Sequence, residues 1–319
     1  MMHDTFLEQF QSFNPPWWLS NAHAQTVYAS LFKRTPLPPY RRELINLPDG
    51  DVIAADWLDG DESRPLFVLI HGMEGDSNSR YTRLLMNEAA RKGWTGVVLN
   101  MRSCGGLLNK KPTFYHAGFY QDIQYFMDQA LPERMPGRQI YIAGVSLGGS
   151  QLVHYLAKGQ PSADLKAAVL ISAPLDLRGS ADYMESGLNR LYIYKFRRTL
   201  LQKYRAKSAL IDNPIFEQKL ARAKNFWDLD GAATAPMHGF EDAADYYHKM
   251  SAKNVLPEIT KPTLYLASRD DPFIPPDSMP ERIGEIPALL TEHGGHVGFI
   301  DHSGESWMVP TVFQYFENF

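Results

Sequence analysis

The run Gly144-Val145-Ser146-Leu147-Gly148-Gly149 sets a serine between glycines two positions away on either side. Residues 139–143 before it read as a buried strand, and 151–157 after it as a helix. A strand–turn–helix of this kind holds a serine hydroxyl out for nucleophilic attack. Glycines keep side chains out of the crowded turn. The first helix amides point to where negative charge develops on an attacked carbonyl. A five-residue pattern is common, so a glycine-rich turn with an inert serine is the plain alternative. A dinucleotide fold would need its glycine cluster at the first strand, and a phosphate loop would need a following Gly-Lys-Ser/Thr; neither is present.

A serine nucleophile needs a base, and the base needs an orienting acid. Glu292-His293-Gly294-Gly295-His296-Val297-Gly298 supplies two histidines in a loop. His296 lies deeper in that loop, ahead of small and apolar residues, and is the expected base. The glycines make the segment a loop without the helical His-x-x-x-His spacing of a zinc site, so no metal is expected. The acid comes from the polar turn that ends residues 263–267, where Asp270 and Asp271 compete. Asp271 stands four before Pro275 and has the preferred spacing; Asp270 would otherwise brace the same turn.

His71-Gly72-Met73-Glu74-Gly75 follows another buried run, 66–70. In a serine elbow of this type, one oxyanion amide follows the nucleophile and the second comes from such a loop. Those are the backbone N–H groups of Leu147 and Met73. His71 is expected to anchor the loop.

These pieces need a scaffold that brings strand ends together. Short apolar runs at 66–70, 96–99, 140–143, 167–171, 263–267 and, more weakly, 288–290 fit strands buried on both faces of a parallel sheet. Helical patterns separate most of them, which argues for an α/β layered fold. Alternating stretches at 41–47 and 52–58, joined by Pro48-Asp49-Gly50, predict a β-hairpin. Residues 305–319 read as a closing helix despite Pro310. From Pro174 to about Lys253 no strong strand appears. Charged helical segments at 191–205 and 215–224 indicate an insertion, read as a lid over the sheet edge. The expected division is a core of 1–174 and 254–319, with 1–39 as a lead segment, and a helical cap of 175–253.

The chain of 319 residues carries a formal net charge of −4, and no global basic field draws it to nucleic acid. A single cysteine, Cys104, excludes an intrachain disulfide. No leader is evident in residues 1–13, and no apolar run suggests a membrane span. A soluble, cytoplasmic protein of open oligomeric state is the expectation. Trp17 and Trp18 are expected to cover the core, with a peripheral membrane contact as the alternative. Cys104 reads as a packing residue, with a redox-sensitive thiol as the alternative. Arg102 is expected to meet a substrate carboxylate or to pair with Glu74.

The sequence resembles the YheT-like branch of the α/β-hydrolases, which takes in bacterial esterases and eukaryotic lipid hydrolases. The resemblance rests on Asn21-Ala22-His23-Ala24-Gln25-Thr26, His71-Gly72 with Gly75, Asn100 to Gly106, the serine elbow, Asp270-Asp271-Pro272 and His293 to Phe299. It implies the α/β-hydrolase fold, with a mostly parallel sheet flanked by helices and a helical lid. It also implies Ser146, Asp271 and His296 as a triad, in the chain order Ser, Asp, His. The implied activity is carboxylic-ester hydrolysis through an acyl-enzyme, without metal or organic cofactor, on a small or lipid-like ester. Thioesterase and lipase activities share the triad, and a non-catalytic binding protein on this fold is the remaining alternative.

Overall fold

The computed structural model describes residues 6–31, 35–207, 210 and 214–319. Residues 1–5 of the segment read as lacking a leader lie outside these. An eight-stranded sheet forms the middle layer, in the order β1-β2-β4-β3-β5-β6-β7-β10. The strands are β1 Arg41–Asn46, β2 Val52–Leu58, β3 Leu66–Ile70, β4 Thr95–Asn100, β5 Ile140–Val145, β6 Leu165–Ile171, β7 Thr263–Ser268 and β10 Leu289–Thr291. The two-residue β8 and β9, Arg282–Ile283 and Ile286–Pro287, pair beside it. Within the eight-stranded sheet the β1–β2 and β2–β4 pairs are antiparallel and the others parallel, while the small β8–β9 pair is antiparallel. The expected hairpin is therefore β1–β2, closed by a turn in which Gly50 takes φ +83°.

Both faces of the parallel strands are covered, which explains their continuous apolar runs. In β3, Leu66, Val68 and Ile70 enter one core, while Phe67 and Leu69 enter the other. The second core is closed by the last helix, Met308–Phe316, whose Phe313 and Phe316 pack against Phe67. Pro310 is tolerated there because it sits in the first turn, where its missing N–H has no intrahelical partner to lose.

The chain steps from β3 to β4 on one side and continues through β5, β6 and β7 on the other. This reversal opens a crevice beyond the carboxyl ends of β3 and β5, the usual ligand position in open α/β sheets. The loops after β3, β5, β7 and β10 all emerge on that edge.

Between β6 and β7 the chain forms helices and no strand among the described residues. They include α5 Leu177–Tyr183, α6 Tyr192–Ala206, α7 Pro214–Arg222, α8 Phe226–Ala232, α9 Thr234–His238 and α10 Ala243–Met250. Earlier helices, which flank the core, are α1 Ala22–Leu31, α2 Arg80–Arg91, α3 (121–134) and α4 Leu147–Lys158. The insertion has its own apolar cluster, with Ile193, Leu200 and Tyr204 of α6 packed on Leu220 and Leu229. No described helix is long and apolar enough to cross a membrane.

Candidate active site

Ser146 stands between the end of β5 and the start of α4, with φ +54° and ψ −126°. A non-glycine residue in that region is strained by roughly 1–3 kcal/mol. The turn is tight enough to require its glycines. A Cβ on Gly148 would lie 2.2 Å from His71 O, and one on Gly144 would lie 2.6 Å from Gly148 O.

From Ser146 a chain of hydrogen bonds runs across three strand ends. Ser146 Oγ is 2.9 Å from His296 Nε2, and His296 Nδ1 is 2.9 Å from Asp271 Oδ2 and 3.1 Å from Oδ1. Asp271 is fully buried, and its Oδ1 also accepts from Phe273 N at 2.8 Å. Phe273 stacks on the imidazole at 4.2 Å between centroids and limits its rotation. The competing Asp270 faces elsewhere. It accepts from Gly295 N at 2.9 Å and lies 3.3 Å from Nδ1 of the half-exposed His293. Its place is to brace the loop that carries His296.

Met73 and Leu147 both line the cleft beside Ser146. Leu147 opens α4, so its N–H has no acceptor within the helix. Around Met73 the neighbouring amides are taken: Gly72 N–H by the Tyr81 hydroxyl and Glu74 N–H by the Tyr115 hydroxyl, each at 2.8 Å. Among the described residues no acceptor meets the Met73 N–H. His71 anchors the loop. Its Nε2 accepts from Met101 N at 3.0 Å, so Nδ1 carries the proton and donates to Gly72 O at 2.7 Å. Complete burial pulls the His71 pKa down to about 4, which keeps the ring neutral.

Two further supports hold the site. Asn21 caps α1 through His23 N and Ala24 N. That helix then packs onto the histidine loop, where a Cβ on Gly295 would meet Ala22 O at 2.4 Å. Thr26 Oγ1 accepts from His296 N at 2.9 Å, and buried Gln25 exchanges two hydrogen bonds with the backbone of Ile300. The motif at 21–26 and the glycine-rich motif at 293–299 are thus two sides of one contact. The second support is Glu74, whose buried carboxylate accepts from Tyr115 and from Lys203 of α6, each at 2.7 Å.

Two side expectations change, those for Arg102 and Trp17. Arg102 does not pair with Glu74; it is buried, and hydrogen bonds to Asp49, Asp51 and Asp122 at 2.7–2.9 Å already balance its charge. Cys104 is buried, and desolvation pushes its thiol up to about 12, a packed rather than a reactive state. Trp17 does not cover the core: it is 88% exposed, and Trp18 packs on Tyr28. Among the described residues no group of three or more histidine, cysteine or acidic side chains could hold a metal.

A cleft of about 640 Å³, part of it open solvent, runs from Ser146 under the insertion. Leu177, Ala181, Met184, Phe196, Phe226 and Phe273 give it apolar walls. One buried acid, Asp230, also lines it, held by Thr234 and Tyr247 hydroxyls. Burial raises its pKa to about 6.

Comparison with known proteins agrees with the fold. Residues 65–303 match the family described as alpha/beta hydrolase fold, and the chain belongs to that family. It is 37% identical over 304 residues to "Putative esterase YheT" of Escherichia coli, covering 90% of this chain and 87% of that one. It is 31% identical over 274 residues to the monoacylglycerol lipase of Saccharomyces cerevisiae, covering 82% and 61%. It is 28% identical over 304 residues to human phospholipase ABHD3, covering 91% and 74%. Among solved structures, an esterase of Pyrococcus furiosus superposes with a TM-score of 0.58 at 15% identity, over 97% of this chain and 99% of that one.

Proposed function

We propose that this member of the α/β-hydrolase family is a serine hydrolase that cleaves carboxylic esters by two-step acyl transfer. The observation that carries the reading is the unbroken chain from Ser146 Oγ through His296 to buried Asp271. In this reading His296 Nε2 takes the Ser146 proton as Oγ attacks the ester carbonyl. Asp271 fixes the tautomer with the proton on Nδ1 and stabilises the imidazolium that forms. The N–H groups of Met73 and Leu147 receive the oxyanion; one such donor is typically worth about 3 kcal/mol. His296 then protonates the departing alcohol, and a water, deprotonated by the same imidazole, releases the acid from Ser146.

The apolar cleft under the insertion suits the acyl chain, and the helices of 175–253 act as its lid. The relatives named as esterase, monoacylglycerol lipase and phospholipase support ester substrates. A fluorophosphonate probe on the purified chain tests the reading. Labelling is expected on Ser146 and lost in Ser146→Ala, together with hydrolysis of p-nitrophenyl esters. Equal labelling of the folded variant would refute it. A series of p-nitrophenyl esters then reads the cleft, with the best kcat/KM expected at intermediate acyl lengths.

A further inference from the structure

The stretch from Ser186 to Lys207 carries seven basic residues and no acidic one, in a chain whose net charge is −4. Four of the seven have partners inside the fold. Lys203 meets Glu74, Lys207 meets Asn109, Arg205 meets Glu217 and Arg197 meets Ala223 O. The other three, Arg190, Lys195 and Arg198, are exposed, and among the described residues no carboxylate pairs with them.

Helix periodicity sorts this stretch into two faces. Ile193, Leu200 and Tyr204 turn into the insertion's core. Leu191, Tyr194, Lys195 and Arg198 recur at the same spacing on the outer side. Leu188, Leu191 and Tyr194 are each more than half exposed, interleaved with the unpaired cations. Large apolar side chains mixed with Lys and Arg on one exposed helix face are what an interfacial helix presents to a membrane.

The face lies at the rim of the proposed catalytic site. Tyr192 packs on Phe273, which stacks on His296. On its other side Tyr192 OH is 3.1 Å from His23 Nδ1 of α1. Val27 and Leu31, four and eight residues beyond His23, are exposed on that helix, and Trp17 and Trp18 stand exposed just before it.

We propose that this face docks the protein on an anionic phospholipid surface, with the mouth of the cleft turned toward the lipid. Apolar exposure alone would not select the occupant; the unmatched cations do. A second copy meeting the same face through a twofold axis would set Arg190, Lys195 and Arg198 against themselves. Exposed tryptophan and tyrosine beside lysine and arginine match the headgroup boundary of a bilayer.

The test is cosedimentation of the full chain, as Ser146→Ala so that no lipid is consumed. Vesicles are pure phosphatidylcholine, or phosphatidylcholine with about 30 mol% phosphatidylglycerol, where each basic side chain adds a measurable increment. Binding to the anionic vesicles, weak binding to the neutral ones and release by salt are expected. Arg190→Gln/Lys195→Gln/Arg198→Gln should weaken anionic binding by on the order of a hundred-fold. In the otherwise wild-type chain the same triple variant should leave hydrolysis of a soluble short-chain ester unchanged. Equal pelleting of the parent and the triple variant would overturn the proposal. So would absence of pelleting by folded protein, or self-association that the three substitutions abolish. Failure of the esterase reading would instead appear as lost probe labelling, with vesicle binding intact.

Discussion

Lys203 reaches from the insertion into the body of the fold and donates to Glu74 Oε1 at 2.7 Å, one residue from the Met73 amide. Glu74 itself sits at φ +56°, and its amide and carboxylate are both bound to the Tyr115 hydroxyl. The lid and the loop proposed to carry the oxyanion donor are therefore tied by one ion pair. Removing only the cation strands a buried carboxylate, which typically costs about 3–5 kcal/mol. Lys203→Met is expected to lower the melting temperature and reduce kcat more than it raises KM. Adding Glu74→Gln should recover part of the stability. Thermal denaturation of both singles and the double tests this, and strict additivity would show that the pair is uncoupled.

The two adjacent aspartates should separate cleanly. Asp271 touches only the imidazole and its own turn, whereas Asp270 braces the loop. Asp271→Asn is expected to cut kcat on the order of 10³–10⁴-fold by favouring the wrong tautomer. Asp270→Asn should cost less than about tenfold and act through loop position. Steady-state kinetics on one p-nitrophenyl ester decides, and the reverse ranking would exchange the roles.

Burial of Asp230 makes stability depend on pH. Its folded pKa of about 6 lies above the ordinary 3.8, so the folded chain keeps a proton that the unfolded chain releases. The stabilisation by that proton is complete below 3.8, declines as pH rises toward 6, and is gone above it. The span corresponds to on the order of 3 kcal/mol. Asp230→Asn should flatten the melting-temperature profile across that window and stabilise the protein at higher pH. Parallel profiles for variant and parent would place the dependence on another group.

Gln25→Ala removes both bonds to Ile300 and leaves two buried backbone groups without partners, each worth about 1–3 kcal/mol. The variant should be less stable and lose turnover as the histidine loop loosens. Hydrogen exchange at residues 293–300 would report the loosening, and unchanged protection there would count against it.

The serine and histidine were legible because Ser146 itself and the neighbours of His296, Gly294, Gly295 and Val297, take positive φ, and glycines mark such turns. Gly148 admits His71 O, and Gly295 admits Ala22 O. The strands were legible because burial on both faces leaves continuous apolar runs. Spacing alone left two aspartates in play, since both end the same strand and differ only in where their carboxylates point. The partners of the Glu74 carboxylate and of the His296 amide were not legible. Lys203 lies 129 positions from Glu74 and Thr26 lies 270 from His296, so no local pattern joins them. Arg102 shows the same limit: Glu74 was the expected protein partner, yet Asp49, Asp51 and Asp122 form the anionic pocket around the guanidinium.

The match to the general alpha/beta hydrolase family runs over residues 65–303, yet the helix seating His296 spans Ala22–Leu31. A fragment trimmed to 65–303 would retain the serine, the acid and the imidazole while discarding the hydroxyl beneath the imidazole's own amide. It would also shed both strands of the β1–β2 hairpin and the final helix. Expression boundaries drawn from that match alone would deliver the reactive groups without the floor on which one of them rests.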